Sequence, residues 1–235
     1  MKALLLAAGL GTRLRPLTNH LPKCLMPIHG RPLLDYWLEF LISNGIDEIL
    51  INTHYLAPKV NEFLEHSQWK SKTKIVHEEN LYGTGGTIIR NRSFFQEEAF
   101  LVAHADNLCV FDFKDFVRCH LSRPVNTHMT MMVFNTDSPE SCGVVEVDHQ
   151  GVVKSFHEKI EKPPGNLANA AVYILQPEVM DVIEKIRKNE IDFSTEVIPR
   201  FIGRILTYHN KIYNRDIGTI KNWITAHEDF PFVVK

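Results

Sequence analysis

An unbroken apolar run from Ala3 to Ala8 stops at Gly9-Leu10-Gly11. The run predicts a short buried strand over residues 2–7, and the glycines predict a turn after it. Apolar residues then recur at Leu33, Leu34, Trp37, Leu38 and Leu41, the spacing of one helical face. A helix is therefore predicted from Pro32 through Asn44, ended by Gly45. The pattern continues with a strand over 46–52, a helix over 58–66 and a strand over 74–77. A glycine-rich turn at Gly83 to Gly86 leads into another helix, and a fourth apolar strand over 100–103 ends at His104-Ala105-Asp106-Asn107. Strands alternating with helices in this way predict a parallel sheet covered by helices.

After about Pro124 the pattern changes. Strands are predicted over 128–134, 144–147, 152–156 and 170–175, with Asp148-His149-Gln150-Gly151 as a hairpin turn between two of them. Helices follow over 177–188 and around 195–202, then short strands and a last helix over 219–228. The fold class predicted is α/β: a Rossmann-like mixed, mainly parallel sheet flanked by helices, with an antiparallel extension. The chain reads as a single domain over 1–235, with halves at 1–124 and 125–235.

Composition narrows the partners. Hydrophobic residues make up 44% and charged residues 23% of 235, as in an ordinary globular protein. The 26 basic and 28 acidic side chains leave a net charge of −2 with no basic cluster, which argues against nucleic acid as partner. The first apolar run is too short to span a membrane and lacks the features of a signal peptide, so a cytoplasmic location is expected. Cys24, Cys109, Cys119 and Cys142 form no CxxC pair, which suggests neither a zinc site nor a disulfide framework. Cys24 is expected to be a plain buried cysteine.

The loop Gly9-Leu10-Gly11-Thr12-Arg13-Leu14-Arg15-Pro16 carries the first candidate chemistry. Ligands of open α/β sheets bind outside the carboxyl ends of the strands, where this loop lies. Glycines let backbone N–H groups approach phosphate oxygens, and Arg13 adds a forked donor. A dinucleotide fingerprint would need glycine at Leu14 and an acid at Asn52, and no Gly-Lys-Ser/Thr P-loop occurs. Lys23, between Pro22 and an apolar run, is expected to stay near the loop. Asp106 ends a strand and Asp216 lies in an Arg-Asp-Ile-Gly turn. Two carboxylates from separate loops suit Mg²⁺, which takes few protein ligands beside phosphate oxygens and water. Either alone reads more readily as a capping or turn aspartate.

The segment Leu6-Ala7-Ala8-Gly9-Leu10-Gly11-Thr12-Arg13-Leu14-Arg15-Pro16-Leu17-Thr18, with Pro22-Lys23 and Leu25-Met26-Pro27, resembles the opening motif of the sugar nucleotidyltransferases. Gly83-Thr84-Gly85-Gly86 is similar to that family's second glycine loop. Cys142 to Val145, Phe156 to Lys159 and Asn166 to Leu175 resemble its sugar-side segment, and Asp216 to Thr219 its final acidic turn. The later segments look most like those of guanylyltransferases acting on mannose-1-phosphate or manno-heptose-1-phosphate. The resemblance implies the nucleotide-diphospho-sugar transferase fold, with 1–124 binding nucleotide and 125–235 the sugar phosphate. It implies catalytic roles for Arg13, Lys23, Asp106 and Lys159. Nucleotide contacts would come from Ala7, Ala8, Gly9, Gly11, Thr12, Arg13, Glu78, Gly83 and Thr84. Sugar-phosphate contacts would come from Asn107, Gly143, Glu158, Lys159 and Asn169, and Mg²⁺ would sit on Asp106 and Asp216. The chain departs from the family pattern at Ala105, Ile160 and Ala171, the first and last of which replace glycine.

The activity implied is transfer of a nucleoside monophosphate from an NTP to a sugar-1-phosphate, with release of pyrophosphate. Glu78 stands where uridylyl and thymidylyl members tend to carry glutamine. A carboxylate only accepts hydrogen bonds, which suits N1–H and N2–H of guanine or the amino group of cytosine and suits uracil poorly; together with the manno-type resemblance this points to GTP, with CTP as the runner-up. A solvent-exposed strand-end glutamate is the simpler alternative. The partners expected are an NTP and a sugar-1-phosphate, without nucleic acid or membrane; self-association is left open. A non-catalytic nucleotide-sugar sensor is the rival of another class.

Overall fold

The computed structural model describes residues 1–230. Along the chain run β1 (Ala3–Leu6), β2 (Pro27–Ile28), β3 (Arg31–Pro32), α1 (Leu33–Ser43), β4 (Ile49–Thr53), α2 (Ala57–Glu65) and β5 (Thr73–His77). There follow α3 (Gly83–Arg90), α4 (Arg92–Phe95), β6 (Phe100–His104), β7 (Asn107–Val110), α5 (Phe113–Leu121) and β8 (Met129–Asn135). The last are β9 (Gly143–Val147), β10 (Val153–Glu158), β11 (Leu167–Leu175), α6 (Glu178–Glu184), β12 (Ile205–His209), β13 (Tyr213–Asp216) and α7 (Ile220–Asp229).

These elements gather into two compact units, and the grouping does not follow the halves expected on either side of residue 124. One unit, here the loop unit, collects Lys2–Leu81, His104–Val110 and, among the described residues, 212–230; the other, the strand unit, collects Tyr82–Ala103 and Phe111–Lys211. In the loop unit β1, β4 and β5 are parallel, with Leu4 opposite Leu50 and Leu50 opposite Lys74. Every residue of β1 and β4 is buried, which is why they read as continuous apolar runs rather than alternating ones. α1 buries Leu33, Leu34, Trp37, Leu38 and Leu41, the predicted face. Gly45, at φ +84°, ends it in the left-handed conformation that glycine adopts without a Cβ penalty. The antiparallel pair β7–β13 sets Asn107 opposite Asp216. Leu14, Met26, Ile28, Leu33, Leu108, Ile217 and Ala226 pack into one cluster, so α7 and the residues flanking both aspartates share a core with the first loop.

In the strand unit, β11 pairs antiparallel with β6, β8 and β9, β10 with β9, and β12 runs parallel to β8. The predicted strands are all present, and Asp148–Gly151 is the predicted hairpin turn, closed by Gly151 N donating to Asp148 O at 3.1 Å. Three elements of this unit differ from expectation. α5 adds a helix to a stretch given none, started by Asp112, whose Oδ1 accepts from Asp115 N at 2.9 Å. α6 is shorter than 177–188, and residues 195–202 form π and 3₁₀ turns, Phe193–Val197 and Ile198–Phe201, instead of an α-helix. No helix among the described residues is long and apolar enough to cross a membrane.

Candidate active site

The site begins where β1 ends. Ala105 N donates to Leu6 O at 3.0 Å, which aligns the His104–Asn107 segment with the start of the glycine loop. Within the loop Gly11 adopts φ +63° and its carbonyl accepts from Thr18 Oγ1 at 2.7 Å. A Cβ on Gly11 would lie 3.0 Å from Thr18 Cγ2, a tight contact added to the positive φ that favours glycine. Leu14 anchors the loop in the core while Gly9, Thr12 and Arg13 stay exposed. A 3₁₀ turn from Lys23 to Leu25, with Met26 N donating to Lys23 O at 3.0 Å, buries Lys23 and its two successors.

Lys23 is held by both candidate metal ligands. Its Nζ lies 2.9 Å from Asp106 Oδ2 and 2.7 Å from Asp216 Oδ1, while Arg13 Nη2 stands 3.5 Å from Asp216 Oδ2. Burial penalises the charged ammonium, yet the two carboxylates outweigh it and hold Lys23 above the usual lysine value. Asp106 is likewise desolvated, but Lys23 and then His104 keep its carboxyl below the ordinary carboxylate range. Asp216 is fixed from behind: Gly218 N donates to its Oδ1 at 2.9 Å and Asn222 Nδ2 to its carbonyl at 3.0 Å. A Cβ on Gly218 would fall 2.7 Å from both Arg13 Nη2 and Asp216 Oδ2. Cys24 is the inert cysteine expected, its thiol pushed up to about 12 by burial and by the charge of Asp106.

Asp106 and Asp216 thus each turn an oxygen to the same ammonium, so two carboxylates from separate segments are gathered at one point. That donor set fits Mg²⁺, which needs only one or two carboxylates when phosphate oxygens and waters complete its shell. Among the described residues no cluster of three or more His, Cys, Asp or Glu could hold a metal by protein ligands alone.

At the neighbouring strand ends, Asn52 is the residue before last of β4 and Glu78 follows β5. Ala7 N donates to Asn52 Oδ1 at 2.8 Å, and Asn52 Nδ2 donates to Glu78 Oε1 at 3.0 Å. Glu78 is only 2% exposed, so the reading as a solvated strand-end glutamate is set aside. Its backbone is pinned too: Glu78 N donates to Thr53 O at 2.8 Å and His54 Nδ1 donates to Glu78 O at 2.7 Å. Asn107 lies next to Asp106, its carbonyl accepting from Trp37 Nε1 at 2.8 Å.

The remaining sequence-derived candidates lie in the strand unit. Gly83 to Gly86 open α3 as its first turn, and their groups are engaged by a crossing segment. Gly85 N and Gly86 N approach Ile191 O at 2.8 and 3.2 Å, and Phe193 N donates to Thr84 Oγ1 at 2.8 Å. Gly143 meets Glu158 so closely that a Cβ there would lie 2.6 Å from Glu158 Oε2. Lys159, at φ +49°, places its ammonium 3.2 Å from Glu158 Oε1. Asn169 accepts from Ala171 N at 2.9 Å and donates to Tyr173 Oη at 2.6 Å, bridging the bulge in β11. Tyr173, absent from the sequence-derived set, is a buried phenol whose desolvation raises its pKa, with Glu158 and Asp192 adding to the rise. Its position on an apolar strand gives no chemical signal.

Comparison with known proteins shows the family to which the chain belongs. Mannose-1-phosphate guanylyltransferase catalytic subunit beta of Drosophila melanogaster is 31% identical over 231 residues, covering 96% of this chain and 61% of the fly protein. Mannose-1-phosphate guanylyltransferase of Mycobacterium tuberculosis is 31% identical, over 97% of this chain and 64% of its own length. The chain thus spans less than two thirds of these relatives. The crystal structure of HddC from Yersinia pseudotuberculosis, also known in complex with GMP-PN, has a TM-score of 0.80 at 26% identity, covering 98% of this chain and 99% of HddC. Residues 2–231 match the family model described as nucleotidyl transferase, and the chain belongs to that family.

Proposed function

We propose that this protein transfers GMP from GTP to a manno-configured sugar-1-phosphate, forming a GDP-sugar and pyrophosphate. The observation that carries the reading is Lys23, a buried ammonium shared by Asp106 and Asp216 beneath the glycine loop. A phosphate monoester has a second pKa of about 6, so near neutral pH the sugar phosphate is already a nucleophile and needs no general base. One of its oxygens attacks the α-phosphorus of GTP. The bond from that phosphorus to the α–β bridging oxygen breaks, and pyrophosphate leaves with the bonding pair. Such transfers are governed by positioning and by stabilisation of charge on the phosphates.

The residues divide that work. Amides of Gly9, Gly11 and Thr12 with Arg13 bind the triphosphate, as glycine loops and guanidinium forks do. Lys23 places a positive charge at the departing pyrophosphate, in a site where burial makes each charge count for more than in water. Asp106 and Asp216 would hold Mg²⁺, which supplies charge neutralisation on the phosphates when bound. Glu78 presents acceptors to guanine N1–H and N2–H. Glu158, Lys159, Asn107, Gly143 and Asn169 take the sugar phosphate, and Gly83 and Thr84 are assigned to the nucleotide; these assignments rest on motif resemblance. Guanylyltransferase relatives support the substrate pair.

Pyrophosphate release, measured with Mg²⁺ and each of the four NTPs against mannose-1-phosphate, manno-heptose-1-phosphate and glucose-1-phosphate, tests the reading. GTP with a manno sugar is the productive pair expected. Release with CTP or UTP alone keeps the reaction and overturns the base. Nucleotide binding without release from any pair favours the sensor.

A further inference from the structure

The Gly11 carbonyl is tied down twice. Leu14 N donates to it at 3.0 Å and closes the turn from within, while Thr18 Oγ1 donates to it at 2.7 Å from the following turn. Thr18 is 0% exposed, whereas Thr12, the residue after that carbonyl, is exposed. The Gly11–Thr12 peptide is trans, and in a planar trans peptide the carbonyl and the N–H lie on opposite edges. Holding the carbonyl on buried Thr18 therefore turns Thr12 N–H away from Thr18. Among the described residues that N–H has no hydrogen-bond partner. Thr18 is fixed in its turn from a neighbouring strand end: Tyr55, two residues past β4, donates its hydroxyl to Thr18 O at 2.9 Å.

We infer that Thr18, anchored by Tyr55, is a positioning residue for the nucleotide: its hydroxyl sets the direction of the Gly11–Thr12 peptide and so aims Thr12 N–H at a phosphate oxygen of the bound NTP. The inference rests on the reading above in which the glycine loop holds the triphosphate. Such loops hold phosphates through main-chain N–H groups, and a hydrogen bond weakens steeply as its angle closes. The direction of the donor therefore matters as much as its presence. Gly11 cannot supply that direction, because glycine adopts either sign of φ with similar ease. Its φ of +63° has to be imposed from outside. Thr18 imposes it through the hydroxyl and by packing, since its Cγ2 and Lys23 Cβ stand 3.0 and 3.5 Å from where a Gly11 Cβ would be. A loop ordered before the ligand arrives avoids the loss of affinity that ordering on binding would bring.

A positioning role separates the phosphates from the base. Thr18→Val removes the hydroxyl and keeps a branched side chain, so GTP should bind about three- to tenfold more weakly, the worth of one hydrogen bond. Thr18→Ser keeps the hydroxyl and should stay within about twofold of wild type. Tyr55→Phe loosens Thr18 without touching the loop and should weaken GTP by about two- to threefold. Guanosine carries the base and no phosphate, so its affinity should be the same in all of them. A threonine needed only for the fold would change GTP and guanosine alike.

The test is titration calorimetry of GTP and of guanosine, with Mg²⁺ and no sugar phosphate, into wild type, these three variants and Arg13→Ala. Thermal melting shows that each is folded. Weaker GTP binding in Thr18→Val, recovered in Thr18→Ser, with guanosine unchanged, is the expected result. Weaker GTP binding in Arg13→Ala beside wild-type affinity in Thr18→Val overturns the inference and leaves the loop reading in place. Wild-type GTP affinity in both overturns the loop reading and the inference with it. Equal losses for GTP and guanosine in Thr18→Val overturn the inference. Where Thr18→Val fails to fold, Tyr55→Phe, which removes one oxygen from a part-buried side chain, decides on the same terms.

Discussion

Lys23 Nζ lies 2.7 Å from Asp216 Oδ1 across 193 residues of sequence, and the same ammonium lies 2.9 Å from Asp106 Oδ2. This contact depends on a four-residue strand pair: β13 against β7 delivers Asp216 beside Asn107, one residue past Asp106. Replacing Lys23 removes the buried positive charge at the leaving group. Lys23→Ala should lower turnover by about 10²–10³-fold, the usual cost of deleting one electrostatic contact to a transition state. Turnover within a few-fold of wild type in a steady-state pyrophosphate assay would eliminate the leaving-group role.

His120 gives a pH dependence separate from the chemistry. Its Nδ1 donates to Thr130 Oγ1 at 2.8 Å, and its Nε2 accepts from Gln176 Nε2 at 2.6 Å, an arrangement only the neutral ring can make. Burial, then the neighbouring Arg123, pushes its pKa down to about 4. The unfolded chain takes up the proton near 6.5, so between about 6.5 and 4 the unfolded state binds more protons and stability falls as pH falls. The stability is fully present above 6.5, and on the order of 3 kcal/mol is lost by pH 4. Urea denaturation of wild type and His120→Gln from pH 7.5 to 4 should show the two curves converging on acidification. Parallel curves would remove His120 as the cause.

Gly83 should prove a folding residue first. It sits at φ +71°, and a Cβ would collide with the Ile191 carbonyl, with the carbonyl carbon at 2.7 Å. The neighbour is backbone and cannot rotate away. Gly83→Ala should cost about 3 kcal/mol from the positive φ and overpacking together, seen as a lower urea midpoint without ligand. An unchanged midpoint with weakened GTP binding would mean the loop serves the nucleotide alone.

Ala171 points the other way. It adopts φ +54° at the β11 bulge, a conformation that costs an alanine and not a glycine. Ala171→Gly should therefore stabilise the protein by about 1 kcal/mol, measurable as a raised denaturation midpoint at unchanged slope. A lowered midpoint would show that the alanine methyl packs more than its backbone strains.

The unequal legibility of this protein in its sequence has physical causes. β1, α1 and the glycine loop are legible because their signals are local: an apolar run, a 3–4 residue period, and glycines at a strand end. α5 carries a local signal too, in Phe113, Phe116 and His120 behind the Asp112 cap, but a short one beside the stronger strands around it. Asp106 and Asp216 are legible one by one, but their convergence on Lys23 is not, since the β7–β13 pairing joins distant segments with no periodic trace. Glu78 reads equally as a glutamate at a wet strand end. Its burial follows from Asn52, a polar partner on the adjacent strand that sequence spacing cannot reveal. In the second glycine loop the amides of Gly85 and Gly86 turn to Ile191, a contact across more than a hundred residues that leaves no trace in the local pattern.

The central claim is the bond that is made. Phosphorus NMR of the protein with Mg²⁺, GTP and mannose-1-phosphate follows it directly. The account predicts loss of the monoester signal with equimolar growth of a GDP-sugar diester pair and pyrophosphate, slowed at least about a hundredfold in Lys23→Ala. Conversion of GTP to GDP and inorganic phosphate with the sugar phosphate untouched, or bound GTP with no conversion, would contradict it.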